Sequence, residues 1–112
     1  MDLLKSESIH AGFCLVGRRV AGNAAIVRRI NDEGHTIVNH GDQHLVPNFI
    51  SASDLEKEIV DFDAKIGSAL SDSNWRSEFY RPPGGFLSIK LGKVLKKLGK
   101  KKMPMSYFAW DV

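Results

Sequence analysis

The chain has 112 residues, a net charge of +3 and 43% apolar residues; that is one domain of ordinary globular balance, with no long block of like charge. Its single cysteine, Cys14, excludes an internal disulfide. No apolar run is long enough to span a membrane, and residues 1–5 lack the basic start, apolar middle and small-residue cleavage site of a signal peptide, so nothing here assigns a localisation.

In chain order the pattern alternates strand and helix. Residues 1–8 read as the tail of a helix, and His10 as a surface residue. Residues 11–16 are a short apolar run closed by Gly17, which predicts a buried strand and an inert, buried Cys14. Asn23 is a candidate N-cap for a helix with Ile26, Val27 and Ile30 on one face, stopped by Gly34. His35, just after that stop, reads as a structural turn residue. Residues 36–39 predict the second strand. Ser53-Asp54-Leu55-Glu56 has the form of a capping box. Leu55, Ile59, Phe62, Ile66 and Leu70 then form an apolar stripe at helical spacing. Residues 78–80 predict a third strand. Ser88 caps a further helix with Leu91, Val94, Leu95 and Leu98 inward, stopped by Gly99, and residues 106–112 predict the last strand.

Such alternation with short connections implies an α/β fold, about four parallel strands with right-handed helical crossovers. A complete barrel of this kind needs roughly 200 residues or more, so the reading is a part-barrel. Its inner face, with Phe13, Leu15 and Phe108, is then expected to lack partners, and its sheet edges are candidate surfaces for self-association.

Two loops at predicted strand ends carry the chemistry. His40 and His44 stand at i and i+4 around Gly41-Asp42-Gln43. The zinc-protease pattern needs Glu directly after the first histidine; Gly41 stands there, and with Pro47 it argues for a loop or a single helical turn. Either can aim two imidazoles at one metal, and neutral imidazole suits zinc, cobalt or nickel. The plainer reading is two exposed histidines near a turn. Arg81-Pro82-Pro83-Gly84-Gly85 is rigid and then flexible, and a strand-end arginine suits a bidentate grip on a carboxylate; its plainer reading is a tight turn. The lysines at 90, 93, 96, 97, 100, 101 and 102 read as the solvated side and C-terminal end of the last helix. They lack interleaved aromatics, so no nucleic-acid partner is expected.

These residues resemble the polysaccharide deacetylase family, the NodB-homology domain also called carbohydrate esterase family four. The resemblance runs through nearly the whole chain: Phe13-Cys14-Leu15-Val16-Gly17, then Gly34-His35-Thr36-Ile37-Val38-Asn39-His40, then His44, Arg81-Pro82-Pro83, and Trp110-Asp111-Val112. It implies a distorted (β/α) barrel of the NodB type, with residues 1–112 a single partial domain lacking its first and last strands. It implies a metal-dependent hydrolase that removes acetyl groups from an N-acetylated sugar polymer, chitin- or peptidoglycan-like, with zinc the first choice of metal. By resemblance His40 and His44 are the metal ligands and Arg81 orients a catalytic aspartate. The Gly84 amide is an oxyanion donor, and Pro83 and Trp110 line the substrate groove. Family members are often secreted or attached to the cell wall.

Departures accompany the match. The Asp-Asp pair that supplies a third ligand and the base, and the histidine that acts as acid, are not among these residues. Asp42 and Asp111 are candidate substitute ligands. Gly41 replaces a Ser or Thr, and Gly84 an aromatic. The chain alone is therefore expected to be weakly active at most. The alternatives are a non-catalytic deacetylase remnant, a carbohydrate-binding module and, behind them, a lysine-driven nucleic-acid binder.

Overall fold

The computed structural model describes residues 11–82, 88–102 and 109–111, the side chains of 48, 102 and 109–111 excepted. Its strands are β1 (Gly12–Leu15), β2 (Thr36–Asn39), β3 (Phe79–Tyr80), β4 (Lys101–Lys102) and β5 (Ala109–Asp111). Its helices are α1 (Ala24–Asp32), α2 (Ala52–Leu70) and α3 (Ile89–Leu98). All strand pairs are parallel, in the order β4-β3-β2-β1-β5. The register aligns Leu15 with Asn39 and Asn39 with Tyr80. Three strands thus end at one rim, and the residues after them emerge side by side.

Side chains alternate across a strand. Phe13 and Leu15 of β1 and Ile37 of β2 pack with Val27 and Ile30 of α1 and Phe62 and Ile66 of α2. Cys14, Val38 and Phe79 cluster together, on the opposite face by alternation. This corrects the expectation that Phe13 and Leu15 lack partners: with Ile37 in register beside Phe13, that face is the helix-covered one. Phe108 and His10 lie outside the described residues. Among the described strands the sheet edges are β4 and β5, the former absent from the sequence reading because two lysines carry no strand signal.

Helix α2 joins the two halves of the core. Leu55 and Ile59 pack with Tyr80, Leu91, Val94 and Leu95, while Phe62 and Ile66 serve the β1–α1 side. All four α2 side chains are fully buried, each worth about 1.5–3 kcal/mol relative to exposure. The helix starts earlier than the capping box implies. Ser51, in extended conformation, is the N-cap, and its Oγ accepts the Asp54 N–H at 3.1 Å; Ser53 is already inside the first turn. Glu56 pairs instead with Lys97 at 3.0 Å. In α1, Val27 and Ile30 are buried as expected, but Ile26 faces outward. Ser88 Oγ caps α3 by accepting the Leu91 N–H at 3.1 Å, and Gly99 ends it at φ 70°. No described helix is long and apolar enough to cross a membrane.

The lysine segment is less uniform than its composition suggests. Lys100 is not solvated. The turn at Gly99 carries the chain back to the sheet and puts the Lys100 ammonium 2.5 Å from Asp63, with both side chains nearly inaccessible. It also donates to the Ser77 carbonyl at 2.7 Å and to Ser77 Oγ at 3.0 Å.

Candidate metal centre at the strand ends

His40 directly follows β2, and Arg81 follows β3. The Arg81 N–H donates to the Asn39 carbonyl at 2.9 Å, which extends the ladder past the strand ends. His40 is buried, and its Nδ1 lies 2.6 Å from the Arg81 carbonyl. A carbonyl only accepts, so Nδ1 carries the proton and Nε2 presents its lone pair. That lone pair meets His44: the two Nε2 atoms are 3.0 Å apart, with ring planes at 69°. With His40 Nε2 as acceptor, His44 Nε2–H is the donor.

This arrangement passes a simple test as a half-site for a metal. Two imidazole nitrogens on one tetrahedral zinc, each about 2.0–2.1 Å from it, stand about 3.3 Å apart. The observed separation meets that within a few tenths of an ångström. The Nδ1–H to carbonyl bond is also the usual way a ligating histidine is oriented from behind.

The loop takes an unusual path to bring His44 round. Gly41 has φ +84° and His44 φ +60°, both left-handed; the first suits glycine, and the second is uncommon for a side-chain-bearing residue. Several bonds hold it. Asn39 Oδ1 accepts the Gly41 N–H at 2.9 Å, while its Nδ2 donates to the Ile59 carbonyl at 2.9 Å and to Asp63 Oδ1 at 3.3 Å. Gly17 N–H donates to the Gly41 carbonyl at 3.0 Å and Arg18 N–H to the Asp42 carbonyl at 2.8 Å. Glu58 of α2 accepts the Gln43 N–H on both oxygens, at 3.1 and 3.0 Å. Glu58 also acts on Tyr80: burial first, and then this carboxylate's charge, raise the phenol above its ordinary pKa.

Asp42 does not turn towards the imidazoles. Its carboxylate pairs with Lys65 of α2 and accepts from Gln43 Nε2, so the loop's one acid is committed to holding the loop against the helix. Among the described residues no group of three or more His, Cys, Asp and Glu converges as on a metal. The Arg81 guanidinium reaches Cys14 Sγ at 3.7 Å beneath the rim; Cys14 is fully buried, as expected. His35 is buried too, taking the Ala11 N–H on Nδ1 at 2.9 Å and meeting Phe13 edge-on, the structural part foreseen for it. Pro83, Gly84 and the side chains of Trp110 and Asp111 lie outside the described residues. Sequence reading passed over Asn39 and Glu58. For Glu58 a signal existed: it lies between Leu55, Ile59 and Phe62 on the apolar stripe, where a charged residue needs a reason.

A polysaccharide deacetylase family model matches residues 1–103. A peptidoglycan-N-acetylglucosamine deacetylase of Bacillus cereus is 34% identical over 101 residues, 88% of this chain but 45% of that protein. A family 4 acetyl xylan esterase of Clostridium thermocellum, solved with a cobalt ion, superposes with a TM-score of 0.75 at 32% identity, over 83% of this chain and 44% of that one. A family 4 pseudoenzyme of Bacillus anthracis shares the fold at a TM-score of 0.79 and 22% identity, over 90% of this chain and 35% of that one, so the fold by itself does not carry activity. The chain spans less than half the length of these relatives. With its parallel strands, intervening helices and strand-end histidines, it belongs to the polysaccharide deacetylase family, carbohydrate esterase family four.

Proposed function

We propose that this chain carries the metal-binding rim of a metal-dependent deacetylase acting on an acetylated sugar polymer of the peptidoglycan or chitin type. The observation that carries the reading is the convergence of His40 and His44 at 3.0 Å, with His40 locked in the ligating tautomer by the Arg81 carbonyl. The two Nε2 atoms would hold the ion once the proton of His44 moves from Nε2 to Nδ1, zinc by preference and cobalt or nickel as substitutes. When bound, such an ion polarises an acyl carbonyl and acidifies water. The relatives' names support the substrate class: one is a peptidoglycan deacetylase and one an acetyl xylan esterase.

The chain's own residues supply placement. His40 is set by Asn39 and the Arg81 carbonyl, and His44 by the left-handed turn. Arg81, half-buried at the neighbouring strand end, is suited to orient a carboxylate brought to the rim, and Gly84 to donate its amide to an oxyanion. The base and acid implied by the family resemblance are not among these residues, and each such group is worth roughly 10²–10⁴ in rate. Little or no acetate release from an acetylated chito-oligosaccharide is therefore expected of the chain alone. The direct test is ring nitrogen NMR. Added zinc should move the Nε2 resonances of His40 and His44 and leave those of His35. If neither ring of the pair responds, the reading fails.

A further inference from the structure

We propose that Glu58 is a positioning residue for the histidine pair, holding the His40–His44 loop in its metal-competent shape from behind; this rests on the reading of that pair as a metal half-site. Three observations meet on this side chain. It is buried, although it is a carboxylate on the second helix. Both its oxygens accept the N–H of Gln43, the residue directly before His44. Its Oε2 also fills the space beside Gly41: a Cβ placed there would stand 2.9 Å away. The carboxylate therefore touches the residue after the first ligand and bonds the residue before the second.

That placement holds the loop directly before the left-handed step at His44. The Gln43 N–H reaches Glu58 in the same loop path that brings the Nε2 of His44 to that of His40. Gly41 and Glu58 form one unit. The glycine supplies a positive φ and an open side, and the carboxylate occupies that side. A buried negative charge behind the pair also favours a cation in front of it. Lys65 and Asp42 anchor the outer side of the same loop, so removing Glu58 should loosen its inner side rather than unfold it.

The experiment compares Glu58→Gln, Glu58→Ala and Glu58→Leu by zinc calorimetry, by the visible spectrum of added cobalt(II), and by amide exchange at Gln43. Gln keeps an acceptor for the Gln43 N–H and loses the charge, while Leu keeps bulk and loses the acceptor. Removing an orienting partner of a metal ligand typically weakens affinity about 10–100-fold. Ala and Leu should weaken zinc by about that factor, change the cobalt spectrum and speed exchange at Gln43, with exchange at Ile59 and Ile66 unchanged. Gln should restore slow exchange and most of the affinity. The proposal is overturned if Ala or Leu leaves exchange at Gln43 and zinc affinity as in the parent, or if Gln fares no better than Leu. If the parent chain binds no zinc at all, the metal reading falls, and exchange at Gln43 still decides whether Glu58 holds the loop.

Discussion

Replacing Asp63 by alanine should destabilise this chain more than most single substitutions do. Asp63 and Lys100 form an ion pair with both side chains nearly inaccessible. Asp63 Oδ1 also accepts from Ser77 Oγ at 2.6 Å, from the Ser77 N–H at 3.3 Å and from Asn39 Nδ2 at 3.3 Å. Breaking a buried pair by removing one partner costs about 3–5 kcal/mol, chiefly because the other charge stays buried. Lys100 keeps two bonds to Ser77, which places Asp63→Ala near the lower end, about 3 kcal/mol. Against a domain stability of about 5–15 kcal/mol that is a large fraction, and Tm should fall by on the order of 10–20 °C. Replacing Lys100 as well, by methionine, removes the stranded ammonium, so the double variant should be more stable than the two single losses added together. Urea unfolding followed by far-ultraviolet circular dichroism measures all four corners of the cycle. A loss below about 1 kcal/mol for Asp63→Ala, or strict additivity in the cycle, would falsify the reasoning, because a buried, coupled pair permits neither.

Two further outcomes follow from local geometry. Ser51→Ala should cost about 1 kcal/mol by urea unfolding and Ser53→Ala almost nothing, since only Ser51 accepts a first-turn N–H; equal effects would mean the helix starts where the capping box put it. Tyr80, raised above its ordinary pKa by burial and then by Glu58, stays neutral in the folded chain while the unfolded chain ionises near pH 10. Its contribution is thus fully present below about pH 10 and lost as pH rises towards the folded value. Ultraviolet titration should show one of the two tyrosines delayed until unfolding, and two ordinary phenol titrations would contradict the burial.

The fold was legible where side chains repeat with a period. The α2 stripe, the 36–39 strand and the serine and glycine bounding the last helix follow from apolar spacing and capping chemistry, and all appear as read. The errors have physical causes. Capping depends on which serine is extended, and both Ser51 and Ser53 fit the pattern. Which face of β1 the helices cover depends on its register with β2, which alternation alone leaves open. Composition places Lys100 in solvent because it does not reveal a turn that brings a lysine back onto an aspartate 37 positions earlier. At the site, the two histidines were visible as a spacing. What gives them their geometry, Asn39, Glu58 and the carbonyl of Arg81, comes from three different elements, and only the folded chain brings these together.

The most direct measurement is a calorimetric titration of zinc into the chain at neutral pH, beside His40→Ala and His44→Ala. The account predicts one weak site in the parent, because two imidazoles leave the ion short of the usual three protein ligands, and its loss in both variants. Binding by either variant as tight as by the parent would show that the ion is held elsewhere, and the reading of this rim as a metal centre would be wrong.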